Sequence, residues 1–183
     1  MMEEKMNVHH RISYRAQWHK YDGGMYFVTI CTKEKQHFFG EIADGVMNLS
    51  EIGKCLHEQI VKTPSMRADM NVEIPSFVIM PNHVHLIVII GENQYNTCRG
   101  TMHCAPTDGN GFVPQTKNLA SIIRGIKIST TTFARKNDIP FAWQSRYYDR
   151  IIRDSAEMNR IAEYIENNVA EWDENKGIDY QVD

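Results

Sequence analysis

The sequence has no apolar run longer than Leu86 to Ile90, against the roughly 20 residues that a membrane-spanning helix needs. Its N-terminus, MMEEKMNVHHRISYR, is charged and holds no apolar stretch of signal-peptide length. Export is therefore not expected, no membrane contact is foreseen, and a cytoplasmic location is. A basic excess is also missing. Twenty Lys and Arg stand against 23 Asp and Glu, a net charge of −3, which argues against strong non-specific affinity for DNA. No internal repeat is present, and the composition excludes long disordered or collagen-like readings.

What is present suits one packed core. The 183 residues are 42% hydrophobic and 10% aromatic, enough for a single domain. Charge is unevenly spread: residues 154–183 hold nine acidic and two basic residues, a net −7, which leaves +4 for residues 1–153. A weakly basic body with an acidic end is compatible with local phosphate contacts. The four cysteines (Cys31, Cys55, Cys98, Cys104) come without an export signal and are read as reduced thiols. Cys98 and Cys104 flank His103, but structural zinc sites pair cysteines two to four residues apart and need four ligands, so this spacing does not match one.

Along the chain, residues 1–13 read as a loose tail, 14–172 as one domain and 173–183 as an acidic tail. Met25 to Cys31, after the turn signal Asp22-Gly23-Gly24, reads as a strand. His37 to Ile42 and Gly45 to Leu49 are weaker strands around Asp44-Gly45. Ser50 caps a helix to about Thr63, burying Ile52, Leu56 and Ile60, with Pro64 as its stop. Val72 to Met80 and His83 to Ile90 form an antiparallel hairpin around Pro81-Asn82. The second of these strands is apolar on both faces, which marks it as central. Residues 91–116 change texture, rich in Gly, Asn, Thr and Pro, and read as a long functional or flexible loop.

Lys117 to Asn137 is helical, with Leu119, Ile122, Ile123, Ile126, Thr130 and Phe133 at helical spacing and Pro140 as its stop. Its polar side carries Arg124 and Lys127 together with Lys117, Arg135 and Lys136. Such a face is most often simply solvated, and it can also follow a nucleic-acid backbone. The extended segment FAWQSRYYDRIIR places Trp143, Arg146, Tyr148 and Arg150 together, a mixture suited to base stacking and phosphate contact on a single strand, or to ordinary core packing. A last helix follows the cap Asp154 with Glu157, from about Ser155 to Val169 or beyond, burying Met158, Ile161, Ala162, Ile165 and Val169. The expected class is α+β, an antiparallel sheet with helices upon it.

His83 and His85 are two apart on a strand, so their rings project from one face and can grip one divalent ion; a purely structural pair is the competing reading. At roughly 100° per residue, Tyr164 and Asn168 share one flank of the last helix, one turn apart, while Asn167 points away from the core. Should that flank overlie the histidines, His-His-Asn makes an open three-ligand site beside a tyrosine. A phenol ionises near pH 10 and is a poor nucleophile on its own. Beside an ion that polarises a phosphodiester, it can attack phosphorus, release a 3′-oxygen and keep the bond energy as a 5′-phosphotyrosine. The competing reading of Tyr164 is an amphipathic residue at a helix border. Tyr147 and Tyr148 are the rival nucleophiles.

The stretch Phe77-Val78-Ile79-Met80-Pro81-Asn82-His83-Val84-His85-Leu86-Ile87-Val88 resembles the signature of the HUH single-tyrosine transposases, the insertion-sequence and REP-associated tyrosine transposase group. Three further segments are similar in the same order: Tyr26 to Thr32 with His37 to Gly40, then Trp143 to Asp149 with Ile152-Arg153, then Tyr164 to Asn168. The resemblance covers roughly Tyr14 to Trp172. It implies a ferredoxin-like antiparallel sheet with helices packed on one face. It also implies Tyr164 as nucleophile and His83, His85 and Asn168 as ligands of Mg²⁺ or Mn²⁺. Two imidazoles suit manganese better than magnesium, a hard oxygen-seeking ion. The implied partner is single-stranded DNA that contains a hairpin, with monomer and homodimer both open. One departure is Val169, where the REP-associated branch often has proline after Asn168; the helix is then expected to run on toward Trp172. A non-catalytic single-strand binding module and a phosphodiesterase that uses water are the alternatives.

Overall fold

The computed structural model describes residues 21–97 and 116–172. The N-terminal tail, Cys98, His103 and Cys104 with most of the 91–116 segment, and the acidic tail all lie outside the described residues. The described part is a mixed α/β fold with an antiparallel sheet and three helices, as the sequence led us to expect.

The chain enters at β1 (Gly24–Cys31), then forms a separate hairpin from β2 (Gly40–Ala43) and β3 (Val46–Leu49). Asp44 and Gly45 turn that hairpin at φ 51° and 73°, the left-handed pair that a tight two-residue turn requires. His37 to Phe39, expected as strand, stay outside it. Next comes α1 (Glu51–Met66), whose cap Ser50 accepts the Gly53 amide at 3.1 Å. Pro64 does not end this helix. It forfeits only its own amide bond in the last turn, and Arg67 still donates to Thr63 and Pro64.

The expected strand over 72–80 is two strands, β4 (Val72–Glu73) and β5 (Phe77–Met80), both paired to β6 (His83–Ile90). Glu73 faces Ile89 and Phe77 faces Leu86, so Ile74, Pro75 and Ser76 oppose only Val88 and Ile87. Pro75 has no amide to give the ladder, and the extra residue is absorbed as a bulge. α2 (Leu119–Lys136) opens on a capping box between Asn118 and Ser121. It ends before Pro140, because Asp138 at φ 52° lets Ile139 donate to Ala134 and Asp138 to Arg135. β7 (Tyr148–Ile152), expected from the sequence only as extended chain, is a strand paired to β1 and, among the described residues, an edge of the sheet.

The sheet runs in the order β4-β6-β1-β7, with β5 alongside β6. Because β1 and β6 are apolar on both sides, both sides need cover. α1 and α2 take one face, where Ile52, Leu56, Ile60, Ile122 and Ile126 meet Tyr26, Val28, Leu86 and Val88. α3 (Ser155–Asn167) lies on the other, with Ile161 and Ile165 against Phe27, Ile87 and Ile152. Helices therefore cover two faces rather than the one expected. Each of these isoleucines contributes about 1.5–3 kcal/mol by its removal from water. α3 stops at Asn167, short of the length expected, and turns carry the chain on: Glu171 donates to Asn167 and Trp172 to Val169. Val169 is half-buried, not core. Among the described residues, no helix is long and apolar enough to cross a membrane.

Candidate active site on the central strand

Strand alternation sends His83, His85 and Ile87 of β6 to the α3 face, and Val84, Leu86 and Val88 to the α1–α2 face. Both imidazoles are buried, with ring centroids 4.6 Å apart at 75°. Each is held by its Nδ1. His83 Nδ1 donates to Asn82 Oδ1 at 2.7 Å, since a carbonyl oxygen only accepts. His85 Nδ1 shares a 2.8 Å hydrogen bond with Thr29 Oγ1, its directly paired residue on β1. For His83 this leaves Nε2 with a lone pair, the tautomer that binds metal. Burial pushes His83 down to about 3, with a smaller push from Lys35. Burial and then the neighbouring His83 hold His85 well below its ordinary range. Both rings are thus neutral near pH 7.

α3 delivers the tyrosine. Asp154 accepts the Glu157 amide at 2.8 Å, and Glu157 turns back to accept the Arg153 amide at 2.8 Å. The other Glu157 oxygen pairs with Arg150 Nη2 at 2.7 Å, which ties the helix start to β7. From this start, Ile161 and Ile165 point into the sheet and Tyr164 lies at their flank. Its hydroxyl is 3.3 Å from His85 Nε2. Phe27 stacks on His85 at 5.2 Å and meets Tyr164 edge-on at 6.2 Å. The chain therefore brings Tyr164, His83 and His85 together. Asn168 caps the C-terminus of α3, half-buried and one turn beyond Tyr164. A further turn on, Trp172 lies 6.0 Å from His83 and 6.0 Å from His37. Among the described residues, no cluster of three His, Cys, Asp or Glu is arranged for a metal. The candidate ligands at this site are the two neighbouring imidazoles and the amide of Asn168, one turn beyond Tyr164.

The residues singled out for nucleic acid divide between the two faces. Arg124, Lys127 and Trp143 line one groove on the α2 side. Lys127 Nζ donates to the Gln144 carbonyl at 2.7 Å and sits 5.5 Å from the Trp143 ring centre. Tyr148 pairs with Thr29 and Arg150 with Phe27, so both belong to the imidazole face. Arg150 is already matched to Glu157. Arg146 is exposed just before β7. Sequence reasoning missed Thr29, Asn82 and Trp172. For Thr29 a signal existed: a hydroxyl inside an otherwise apolar strand, on the side of Phe27.

Fold and site define a mixed α/β protein with an antiparallel sheet, in which a tyrosine of α3 meets a histidine of the central strand. No family model matches the chain. A protein of Haemophilus influenzae, described only as uncharacterized, is 36% identical over 174 residues, 92% of this chain and 93% of its own. The chain belongs to that protein's family. Among solved structures, a REP-associated tyrosine transposase bound to a REP hairpin aligns over 88% of this chain and 80% of that one, with a TM-score of 0.55 and 19% identity. That likeness establishes the fold.

Proposed function

We propose that this protein is a transposase-like enzyme that cuts and rejoins single-stranded DNA through a phosphotyrosine on Tyr164. The observation that carries the reading is the 3.3 Å approach of the Tyr164 hydroxyl to His85 Nε2, with His83 beside it. The likeness in fold to a transposase bound to a REP hairpin supports the choice of DNA, and of a hairpin-containing strand, as substrate.

His83 and His85 offer Nε2 nitrogens to a divalent ion, Mn²⁺ more readily than Mg²⁺, with Asn168 as the third ligand. Such an ion, when bound, supplies positive charge to the phosphodiester and its leaving oxygen. The remaining work falls to the chain. Thr29 and Asn82 hold the rings, and the α3 cap positions the phenol. Tyr164 Oη forms a bond to phosphorus as the P–O3′ bond breaks; the phenol gives up one proton and the 3′-oxygen takes up one. No water enters, so a second 3′-hydroxyl can reverse the step and join another strand.

The test is an SDS-stable adduct between the protein and a labelled hairpin-containing oligonucleotide with Mn²⁺. Tyr164→Phe is expected to abolish it and Tyr148→Phe to retain it. Loss with Tyr148→Phe alone would transfer the role to Tyr148, which also lies on the imidazole face. Cleavage without any tyrosine adduct would indicate hydrolysis by water. Binding without cleavage under any divalent ion would indicate a non-catalytic module.

A further inference from the structure

Resting on the reading that single-stranded DNA is the substrate, we propose a second nucleotide site: the groove between α2 and the segment entering β7. It takes phosphates on Arg124, Lys127 and Arg135 and a base against Ile128 and Trp143. The groove has a volume of about 520 Å³, within the range of sites for small ligands. It lies on the α1–α2 side of the sheet, away from Tyr164.

Three observations converge on this ligand. First, α2 contains no acidic residue, and no carboxylate lines the groove. Among the described residues, none forms an ion pair with Arg124, Lys127 or Arg135. Second, Lys127 is half-buried between partners without net charge, the Gln144 carbonyl and the Trp143 ring. An ammonium withdrawn from water is stabilised most by an anion. Third, Ile128 is 57% exposed at the groove wall, although α2 buries its other isoleucines. Cations beside an exposed apolar wall and an indole match a phosphate joined to a flat, weakly polar body, the design of single-strand binding surfaces. An acidic peptide satisfies the cations and leaves the apolar wall without a match. A bilayer surface does not enter a concavity.

The position adds direction. Tyr147 lines the groove, whereas the next residue, Tyr148, faces the imidazole side. Among the described residues, β7 is one edge of the sheet. A strand seated in the groove has to round β7 and pass β1 to reach Tyr164, whose hydroxyl lies at His85 of β6.

The test is fluorescence anisotropy of a fluorescein-labelled oligothymidylate on the full chain at several salt concentrations. Arg124→Ala with Arg135→Ala is expected to weaken binding roughly tenfold or more. It should also flatten the dependence of log K on log salt by about 1.4, two phosphate contacts on a single strand. Ile128→Ser should weaken binding with an unchanged slope. Lys54→Ala with Lys62→Ala removes two exposed cations from α1 and should alter neither quantity. Equal losses from the α1 and α2 pairs, or no loss from the α2 pair in a protein of unchanged circular dichroism, would overturn the groove. So would displacement of the probe by polyglutamate or by phosphatidylserine vesicles as readily as by unlabelled oligothymidylate. The two readings separate cleanly. A missing adduct with these binding effects intact removes the enzyme and keeps the groove, and an adduct with unaltered α2-variant binding does the reverse.

Discussion

Thr29 and His85 face each other across β1 and β6, and their side chains close a 2.8 Å hydrogen bond in a fully buried setting. Thr29→Val keeps the shape and the β-branch while it removes that partner. The buried Nδ1 is then left unsatisfied, at a cost of about 1–3 kcal/mol to the fold. With the ring no longer fixed, Mn²⁺ affinity should fall by about 10–100-fold. Denaturant unfolding and calorimetric Mn²⁺ titration measure the two effects separately. Unchanged affinity would show that Thr29 does not orient a ligand.

Tyr164→Phe should act on metal binding in the opposite sense. The phenol hydroxyl occupies His85 Nε2, the atom an ion would claim, so an ion has to displace it. A typical hydrogen bond contributes about 1 kcal/mol net, and its removal should tighten Mn²⁺ binding by up to about fivefold while it abolishes the adduct. His85→Ala should abolish both. Weaker Mn²⁺ binding in Tyr164→Phe would mean that the hydroxyl is itself a ligand.

Much of this site was legible because it rests on periodicity. Two histidines two residues apart on a strand share a face, and Tyr164 and Asn168 share a helix flank, whatever the surrounding fold. The parts that were not legible depend on distant partners. β7 reads poorly because Tyr147-Tyr148-Asp149-Arg150 has no apolar alternation, and only its pairing with β1 makes it a strand. The break at Pro75 follows from the ladder with β6, which shows where a missing amide matters. That α3 would take the opposite face from α1 and α2 depends on Phe27 and Ile87 needing cover, a consequence of strand order. Pro64 does not stop α1 where the sequence suggests, because a proline in the last turn of a helix forfeits only one amide bond.

Acid should destabilise the metal-free protein earlier than its carboxylates alone dictate. Each imidazole titrates near 6.5 when exposed, and burial holds both below that in the fold, His83 at about 3. Above pH ~6.5 neither state carries the extra proton, and their contribution to stability is complete. As pH falls below that value, the unfolded chain takes up protons that the native rings refuse. Stability then drops by up to about 1.4 kcal/mol per pH unit for each ring. Urea midpoints between pH 7.5 and 5 should show this, and His85→Gln should flatten the slope by roughly half. Equal slopes in the two proteins would remove the histidines as the cause.

Glu157 tests whether the start of α3 positions the tyrosine seven residues further on. Its buried carboxylate accepts the Arg153 amide and pairs with Arg150, so one side chain joins the α3 cap to the β7 edge. Glu157→Gln preserves the amide's acceptor and removes the charge. With Arg150 about one-third exposed, solvent moderates the loss to about 1–2 kcal/mol. That corresponds to a fall in Tm of roughly 2–8 °C for a chain of this size. Glu157→Ala leaves the Arg153 amide without its partner as well and should cost more. If the cap serves the site, both variants should also slow adduct formation at temperatures where they remain folded, with Glu157→Ala the slower. A lowered Tm with an unaltered adduct rate would confine Glu157 to stability.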